Sequence, residues 1–382
     1  MSMNEVYITR TSHYFPNDPV PNEDMESYLG MINGKPSKSR RIVLRNNGIK
    51  NRYYALDKSS KATHTNAEMT SSAIRILFKD NPGEIKNVEL ISCGTSSPDQ
   101  MMPSHGVSVH GCLTESESVE VVSPAGVCCA GMHALKYAYL AVKSGDFENA
   151  VAAGSERFSR LLVADLFESE VQKLTQLEQN PYISFEKEFL RWMLSDGAAA
   201  FYLTNKKNET GLSLRIEWIE GVSFANIREA CMYMGCIKMP DGSLRNFMDM
   251  TPDEIKDLSV LSIKQDVKLL SENIVLLGGV AMTKIFKKRG ITANDVDYYL
   301  CHISSEFFRS KVQDELKKIG LDMPEEKWFV NLSSVGNVGA ASIYLMMDEL
   351  YHSGKLKKGD RIFFSVPESS RFSYMYAYLT VV

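Results

Sequence analysis

Leu135, Ala138, Tyr139 and Val142 recur at the spacing of one helix face, which predicts an amphipathic helix. Ahead of them, the apolar run that opens at Val119 predicts a strand, and SPAGV (Ser123–Val127) holds a glycine turn. Behind them, Ser144-Gly145 predicts the helix stop, followed by a second strand that runs to Glu156. The same order recurs in the segment from Phe329 to Ser369, again as strand, glycine turn, amphipathic helix, Ser-Gly stop and strand.

The recurrence has a fixed offset. SAIRILFKDNPGEIKNVELISCGTSS (Ser72–Ser97) matches AMTKIFKKRGITANDVDYYLCHISS (Ala281–Ser305) as a helix end, a polar turn and a short apolar strand closing on Ser-Ser. Phe78 and Phe286, Val88 and Val296, and Ser97 and Ser305 each lie 208 positions apart. One strand-turn-helix match is common, but four elements in one order at one offset indicate a duplicated α/β domain. The halves are expected at 1–205 and 206–382, packed face to face. At this offset Cys129 aligns with Asn337, and His302 with Gly94. A pseudo-twofold axis then gathers strand ends and helix starts at the centre, where α/β proteins place ligand crevices.

Composition narrows the function classes. The chain has 382 residues, of which 44% are apolar and 24% charged, with net charge −4. Nothing here suggests a nucleic-acid partner. No apolar run is expected to cross a bilayer and no signal-peptide pattern opens the chain, so a cytoplasmic location is expected. The seven cysteines form neither a disulfide framework nor paired zinc knuckles, so no metal is expected. No G-x-S-x-G elbow points to a serine hydrolase.

Two thiols, Cys128 and Cys129, stand where strand gives way to helix. Unpaired N–H groups and the helix dipole at such a terminus favour a thiolate. Taken singly, each candidate has a plainer reading: a buried apolar thiol, a loop histidine at 302, a turn asparagine at 337. Together, SPAGVCCAG, LCHISSEF and SVGNVGAAS resemble the three active-site segments of the ketoacyl synthase III branch of the thiolase superfamily. LSDGAAAFYL (Leu194–Leu203) and NNGIKNRYYA (Asn46–Ala55) resemble two further family segments. The resemblance implies a thiolase fold with duplicated halves in a five-layered αβαβα arrangement. It implies Cys129 as acyl-accepting nucleophile, with His302 and Asn337 as donors to the second thioester's carbonyl, and Cys128 packed behind. It implies no cofactor, substrates carried on the phosphopantetheine of acyl carrier protein or on coenzyme A, and a homodimer. An enolate needs donors where its charge develops, and an acyl-cysteine divides a hard condensation into two steps. An oxyanion hole for acylation would include the Cys129 N–H.

The departures are specific. SVPESSRFSY (Ser365–Tyr374) replaces the family's glycine-rich loop, which makes Ser369 and Ser370 oxyanion candidates. It makes Glu368 a candidate base, against a plainer reading as a salt-bridged or solvated glutamate. GKPSKSRRIVLRNNGIKNR (Gly34–Arg52) is basic; Arg40, Arg41, Arg45, Lys50 and Arg52, with Lys35 and Lys38, form either a solvated loop or a landing site for an acidic carrier or coenzyme A phosphates. The segment 160–193 reads as a cap over the crevice or an interface element. Met102, in MMPS, resembles a residue that reaches a partner's acyl pocket. These departures resemble a subgroup that joins two fatty β-ketoacyl-type thioesters towards dialkylresorcinol or pyrone precursors. The same motifs also allow chain initiation with malonyl thioester, or acyl transfer to an alcohol or amine. A non-catalytic subunit is disfavoured because all three active-site residues are present.

Overall fold

The computed structural model describes residues 3–37, 40–167 and 190–382. Among them, nine strands form one sheet: β1 (Tyr7–Tyr14), β2 (Leu90–Gly94), β3 (Glu120–Val122), β4 (Asn149–Glu156), β5 (Gly197–Thr204), β6 (Leu214–Ser223), β7 (Tyr298–Cys301), β8 (Arg361–Glu368) and β9 (Ser373–Val381). Their order in space is β7-β8-β9-β6-β1-β5-β4-β2-β3. From the central β1–β6 contact, one side runs β1-β5-β4-β2-β3 and the other β6-β9-β8-β7.

Each pairing has a counterpart of the same sense. β1–β5 and β6–β9 are antiparallel, as are β5–β4 and β9–β8, while β4–β2 and β8–β7 are parallel. At the outer edge β3 runs parallel to β2, and a single parallel bridge from Tyr299 to Trp328 stands in its place on the other side. The sequence repeat is therefore a repeat of topology. The two sides join at only two register pairs, Tyr7–Arg215 and Ile8–Leu214.

Six helices cover or fill this sheet: α1 (Asn66–Leu77), α2 (His105–Cys112), α3 (Cys129–Ser144), α4 (Val267–Arg289), α5 (Arg309–Lys318) and α6 (Ser342–His352). Local signals fix their ends. Thr65 and Glu68 close a reciprocal capping box on α1. Gly145, with φ of 87°, ends α3, and Asp266 accepts the Leu269 N–H at the start of α4.

α3 and α6 lie between the inner faces of the two sheet halves. Met132 and Leu135 of α3 share one apolar cluster with Tyr344 and Met347 of α6, with Phe201 from one half and with Phe364 from the other. α1 covers the outer face of the first half through Ile74 and Leu77. α4 covers the second through Leu277, Met282 and Phe286. The layers are helix, sheet, helix, sheet, helix. A glycine is required where the central layer is tightest, since a Cβ on Gly131 would stand 2.1 Å from the Ala340 carbonyl oxygen.

Among the described residues, α4 does have the length and hydropathy of a bilayer span. Half of its most apolar window is buried against the protein, so its hydrophobicity serves the core and a cavity described below.

Candidate active site

Cys129 is the first residue of α3, at the end of the turn that follows β3. Its side chain is 1% exposed, and Sγ donates to the Val366 carbonyl on β8 at 3.3 Å. His302 directly follows β7, and its backbone N–H donates to the neighbouring Ser365 carbonyl at 2.9 Å. Adjacent residues of β8 thus anchor the thiol and the histidine. Asn337 sits in the turn before α6, its backbone bonded to Met193 and Ser195 at 3.0 and 2.9 Å. Its Oδ1 accepts the Gly339 N–H at 3.0 Å, which leaves the NH₂ as the group to serve a ligand.

His302 and Asn337 line one apolar cavity together with Cys128, Pro367 and Ser369. The cysteines are arranged differently from the expectation. Cys128, 9% exposed, is on the cavity wall, whereas the Cys129 thiol is turned onto β8. In this state the Cys129 thiol has a hydrogen-bond acceptor, and that acceptor lies on β8.

The expected thiolate is also corrected. Burial, with the Glu368 carboxylate next in weight, holds the Cys129 thiol well above the ordinary cysteine range. Desolvation outweighs the helix terminus, so the thiol is protonated at rest. Burial acts on His302 in the opposite sense and pushes it down to about 4. Its ring is neutral, and Nε2 is buried without a partner.

Glu368, at the end of β8, has no salt-bridge partner among the described residues and is not solvated. It is buried, and its Oε2 accepts the backbone N–H groups of Val127 at 3.0 Å and Cys129 at 3.1 Å. The N–H expected to serve an oxyanion hole is therefore committed to this carboxylate. Ser370 Oγ donates to Glu368 Oε1 at 2.7 Å, so that hydroxyl is committed too. Ser369 faces the cavity, with Oγ 3.5 Å from Gln265 Oε1.

Glu156 escaped the sequence reading. It ends β4 as Glu368 ends β8, and it accepts from Ser96 Oγ at 2.7 Å, Ser97 Oγ at 2.6 Å and the Ala340 N–H at 3.0 Å. Burial pushes it up to about 7. A Cβ on Gly339 would meet its Oε1 at 2.7 Å, so this carboxylate holds the turn that carries Asn337. The signal was available, since both aligned strands close on a glutamate.

Other candidates are dispersed. Arg52 is fully buried and donates to Asn22 Oδ1 at 2.8 Å and the Trp192 carbonyl at 3.2 Å, so it cannot meet a carrier. Arg40 is paired with Glu26. Arg41, Arg45 and Lys50 are exposed. Lys38 lies outside the described residues, as do 168–189 of the expected cap; Leu190 and Met193 from its end, and Leu194 just after it, line the cavity. Met102 is 86% exposed and takes no part in this chain's cavity. Asp196, in the LSDG motif, accepts the N–H groups of Ala55 and Ser159 at 2.7 and 2.8 Å, tying the motif to the 46–55 segment.

Two neutral donors and two adjacent thiols thus meet at the centre of the two α/β repeats, and known proteins of similar sequence and fold are condensing enzymes. The family model described as 3-oxoacyl-(acyl-carrier-protein) synthase III C terminal matches residues 286–366. A beta-ketoacyl-(acyl-carrier-protein) synthase III of Clostridium novyi is 25% identical over 363 residues, covering 94% of both chains. One from Neisseria gonorrhoeae is 23% identical and covers 93% of both. Among solved structures, AbyA1, a tetronic acid condensing enzyme, superposes with a TM-score of 0.75 at 17% identity, over 98% of this chain and 99% of that one. Xanthomonas campestris OleA, solved with lauric acid and lauroyl-CoA, gives 0.73 at 18%, with 98% and 99% covered. The chain is therefore similar over most of its length to ketoacyl synthase III condensing enzymes, and shares their fold.

Proposed function

We propose that the enzyme loads an acyl group onto Cys129 and condenses it with a second, fatty β-ketoacyl-type thioester, towards a dialkylresorcinol or pyrone precursor. The observation that carries this reading is Glu368, a buried carboxylate hydrogen-bonded to the nucleophile's own N–H. In acylation, Cys129 Sγ bonds the thioester carbonyl, the carrier thiol leaves, and the cysteine proton passes to it. The acyl carbonyl takes the Cys129 N–H from Glu368, which keeps Val127 N–H and Ser370 Oγ. The freed carboxylate oxygen then removes an α-proton from the second thioester, whose carbonyl is held by His302 and Asn337. The α-carbon's electron pair forms the new C–C bond, the C–S bond to Cys129 breaks, and Glu368 returns the proton to the thiolate. No decarboxylation is needed.

The test is single-turnover product analysis with a medium-chain β-ketoacyl-CoA, with and without malonyl-CoA. A cyclisable product with two alkyl chains is expected without malonate. A product formed only with malonate restores chain initiation, and a new ester or amide without a C–C bond restores acyl transfer. Glu368→Gln is expected to keep acylation, because its amide oxygen still accepts the two N–H groups. It is expected to slow condensation about a hundredfold or more; an unchanged rate and pH profile removes Glu368 as the base.

The substrates are proposed to arrive on acyl carrier protein or coenzyme A at the helix Arg40–Asn47 and the loop after it, where Arg41, Arg45 and Lys50 are exposed. Reversing these three charges is expected to raise KM for the carrier-bound substrate roughly tenfold and flatten its salt dependence, with kcat kept. An unchanged KM places the carrier elsewhere. The chain is further proposed to divide near residue 205 and to pair with a second copy across the β3 edge, close to the exposed Met101 and Met102. In that dimer Met102 would enter the partner's acyl pocket; a solution mass of one 42.9 kDa chain removes this arrangement.

A further inference from the structure

Two equivalent strands each carry a carboxylate into the opposite repeat. Glu368 closes β8 and accepts N–H groups of the turn that opens α3. Glu156 closes β4 and accepts the Ala340 N–H at 3.0 Å, in the turn that opens α6. Each helix that begins at an active-site residue is thus capped from the other repeat. The Ala340 peptide is held on both sides. Its N–H meets Glu156, and its carbonyl oxygen lies where a Cβ on Gly131 or Gly154 would come within 2.1 or 2.4 Å. One residue earlier, Gly339 has a φ of 47° and donates its N–H to Asn337 Oδ1 at 3.0 Å. A shift of the Ala340 peptide therefore moves the bond that orients the Asn337 amide.

We propose that Glu156 is a positioning residue for the condensation step, acting through Asn337, and that it does so only as a charged carboxylate. The inference rests on the condensation reading above and gives its second step a control that the first step lacks. Glu156 is fully buried, and its two oxygens receive five donors. Besides Ala340, these are the Ser96 N–H at 3.3 Å and the hydroxyls of Ser96, Ser97 and Thr95 at 2.7, 2.6 and 3.3 Å. A carboxylate only accepts, so it satisfies all of them. A proton added to it faces donors: a hydroxyl must turn to receive it, and the remaining bonds lose their charge assistance. The hold on Ala340 weakens with them. Burial pushes Glu156 up to about 7, so the change falls near neutrality. Most titratable groups around it are fixed there. Burial, then Glu368 and Glu156, keep Cys128 protonated, and burial keeps Cys93 on β2 and Tyr344 on α6 protonated. His105, which meets Ser155 Oγ at 3.1 Å, is pushed down to about 4 by burial, and Arg157 is paired with Asp99 at 2.6 Å. Asp196, beside the strand partner Gly197, is pushed up to about 6 by burial and is the other group near this range.

The test follows the two steps against pH in single turnover. Octanoyl-CoA loads Cys129, excess reagent is removed, and 3-oxodecanoyl-CoA is added, with adduct and product read by mass. In wild type, condensation is expected to fall about five- to tenfold as pH drops through the Glu156 range, while loading shows no such limb. Glu156→Gln has the shape of the protonated acid. It is expected to hold the wild type's low-pH condensation rate at every pH, with loading within about twofold and a thermal melt showing a folded chain. Asn337→Ala is expected to lose the limb too, and adding Glu156→Gln to it is expected to lower condensation no further. This second variant decides the question even where Glu156→Gln does not fold. A limb kept in folded Glu156→Gln, kept in Asn337→Ala, or shared by loading overturns the assignment. If wild type yields no C–C product at any pH, the condensation reading itself fails.

Discussion

Cys129→Ala is expected to abolish the covalent acyl adduct and to lower turnover by about a thousandfold or more, as removal of the proposed nucleophile would. Cys128→Ala keeps the adduct. The expectation is sharp because the resting geometry offers both thiols. Cys128 is the one on the cavity wall, and burial raises its pKa well above the ordinary range, as it does for Cys129. Neither thiol is pre-ionised, so exposure alone would favour Cys128. Backbone donors decide otherwise. Cys129 contributes its own N–H to the turn that meets Glu368, and an acyl group on its Sγ can reach that N–H. Its bond to the Val366 carbonyl is a single sulfur contact of 3.3 Å, which a χ1 rotation breaks at modest cost. Intact-protein mass spectrometry of both variants after exposure to an acyl-CoA checks this. An adduct retained in Cys129→Ala and lost in Cys128→Ala moves the nucleophile by one residue and takes with it the proposed proton route through Glu368.

The parts of this site that were readable in sequence are those set by local pattern. The helix after Cys129 and its stop at Gly145 follow from periodicity and from a left-handed glycine. The placement of His302 after β7 follows from a short apolar run and its counterpart at Leu90–Gly94. Three features were hidden because they depend on distant residues. Glu368 reaches Cys129 across 239 positions and adds to the burial that keeps its thiol protonated. Arg52 belongs to a run of basic residues that reads as solvated, yet it is buried and donates to the Trp192 carbonyl, 140 positions away. The cavity behind the donors is lined jointly by α4, α5 and β9, and the Gly278-Gly279 pair of α4 reads in sequence only as a weak point in a helix. Topology was legible because it is written twice, whereas the electrostatics of the centre are written once, across the contact between the halves.

His302→Ala and Asn337→Ala separate the two half-reactions. In the proposed roles neither side chain serves acyl transfer to Cys129, so the adduct is expected to form at close to the wild-type rate. Condensation falls by about 10²–10³-fold for each donor removed, the range for losing one oxyanion donor. Single-turnover rates for loading and for product formation check the split, and equal losses in both steps would make these residues structural. Acidity adds a second readout. Because burial holds His302 down to about 4, its ring is already neutral at pH 6.5 and stays so as pH rises. The condensation rate therefore carries no limb from this histidine near 6.5; protonation enters only as pH falls towards 4. The donor role requires the proton on Nε2, the buried nitrogen without a partner in the resting protein. Filling that position with a substrate carbonyl ends its isolation, which makes the binding of the second thioester favourable at a buried atom the fold leaves unsatisfied. His302→Gln keeps a neutral donor and is expected to recover part of the lost rate, whereas a protein-wide packing defect would not be repaired by it.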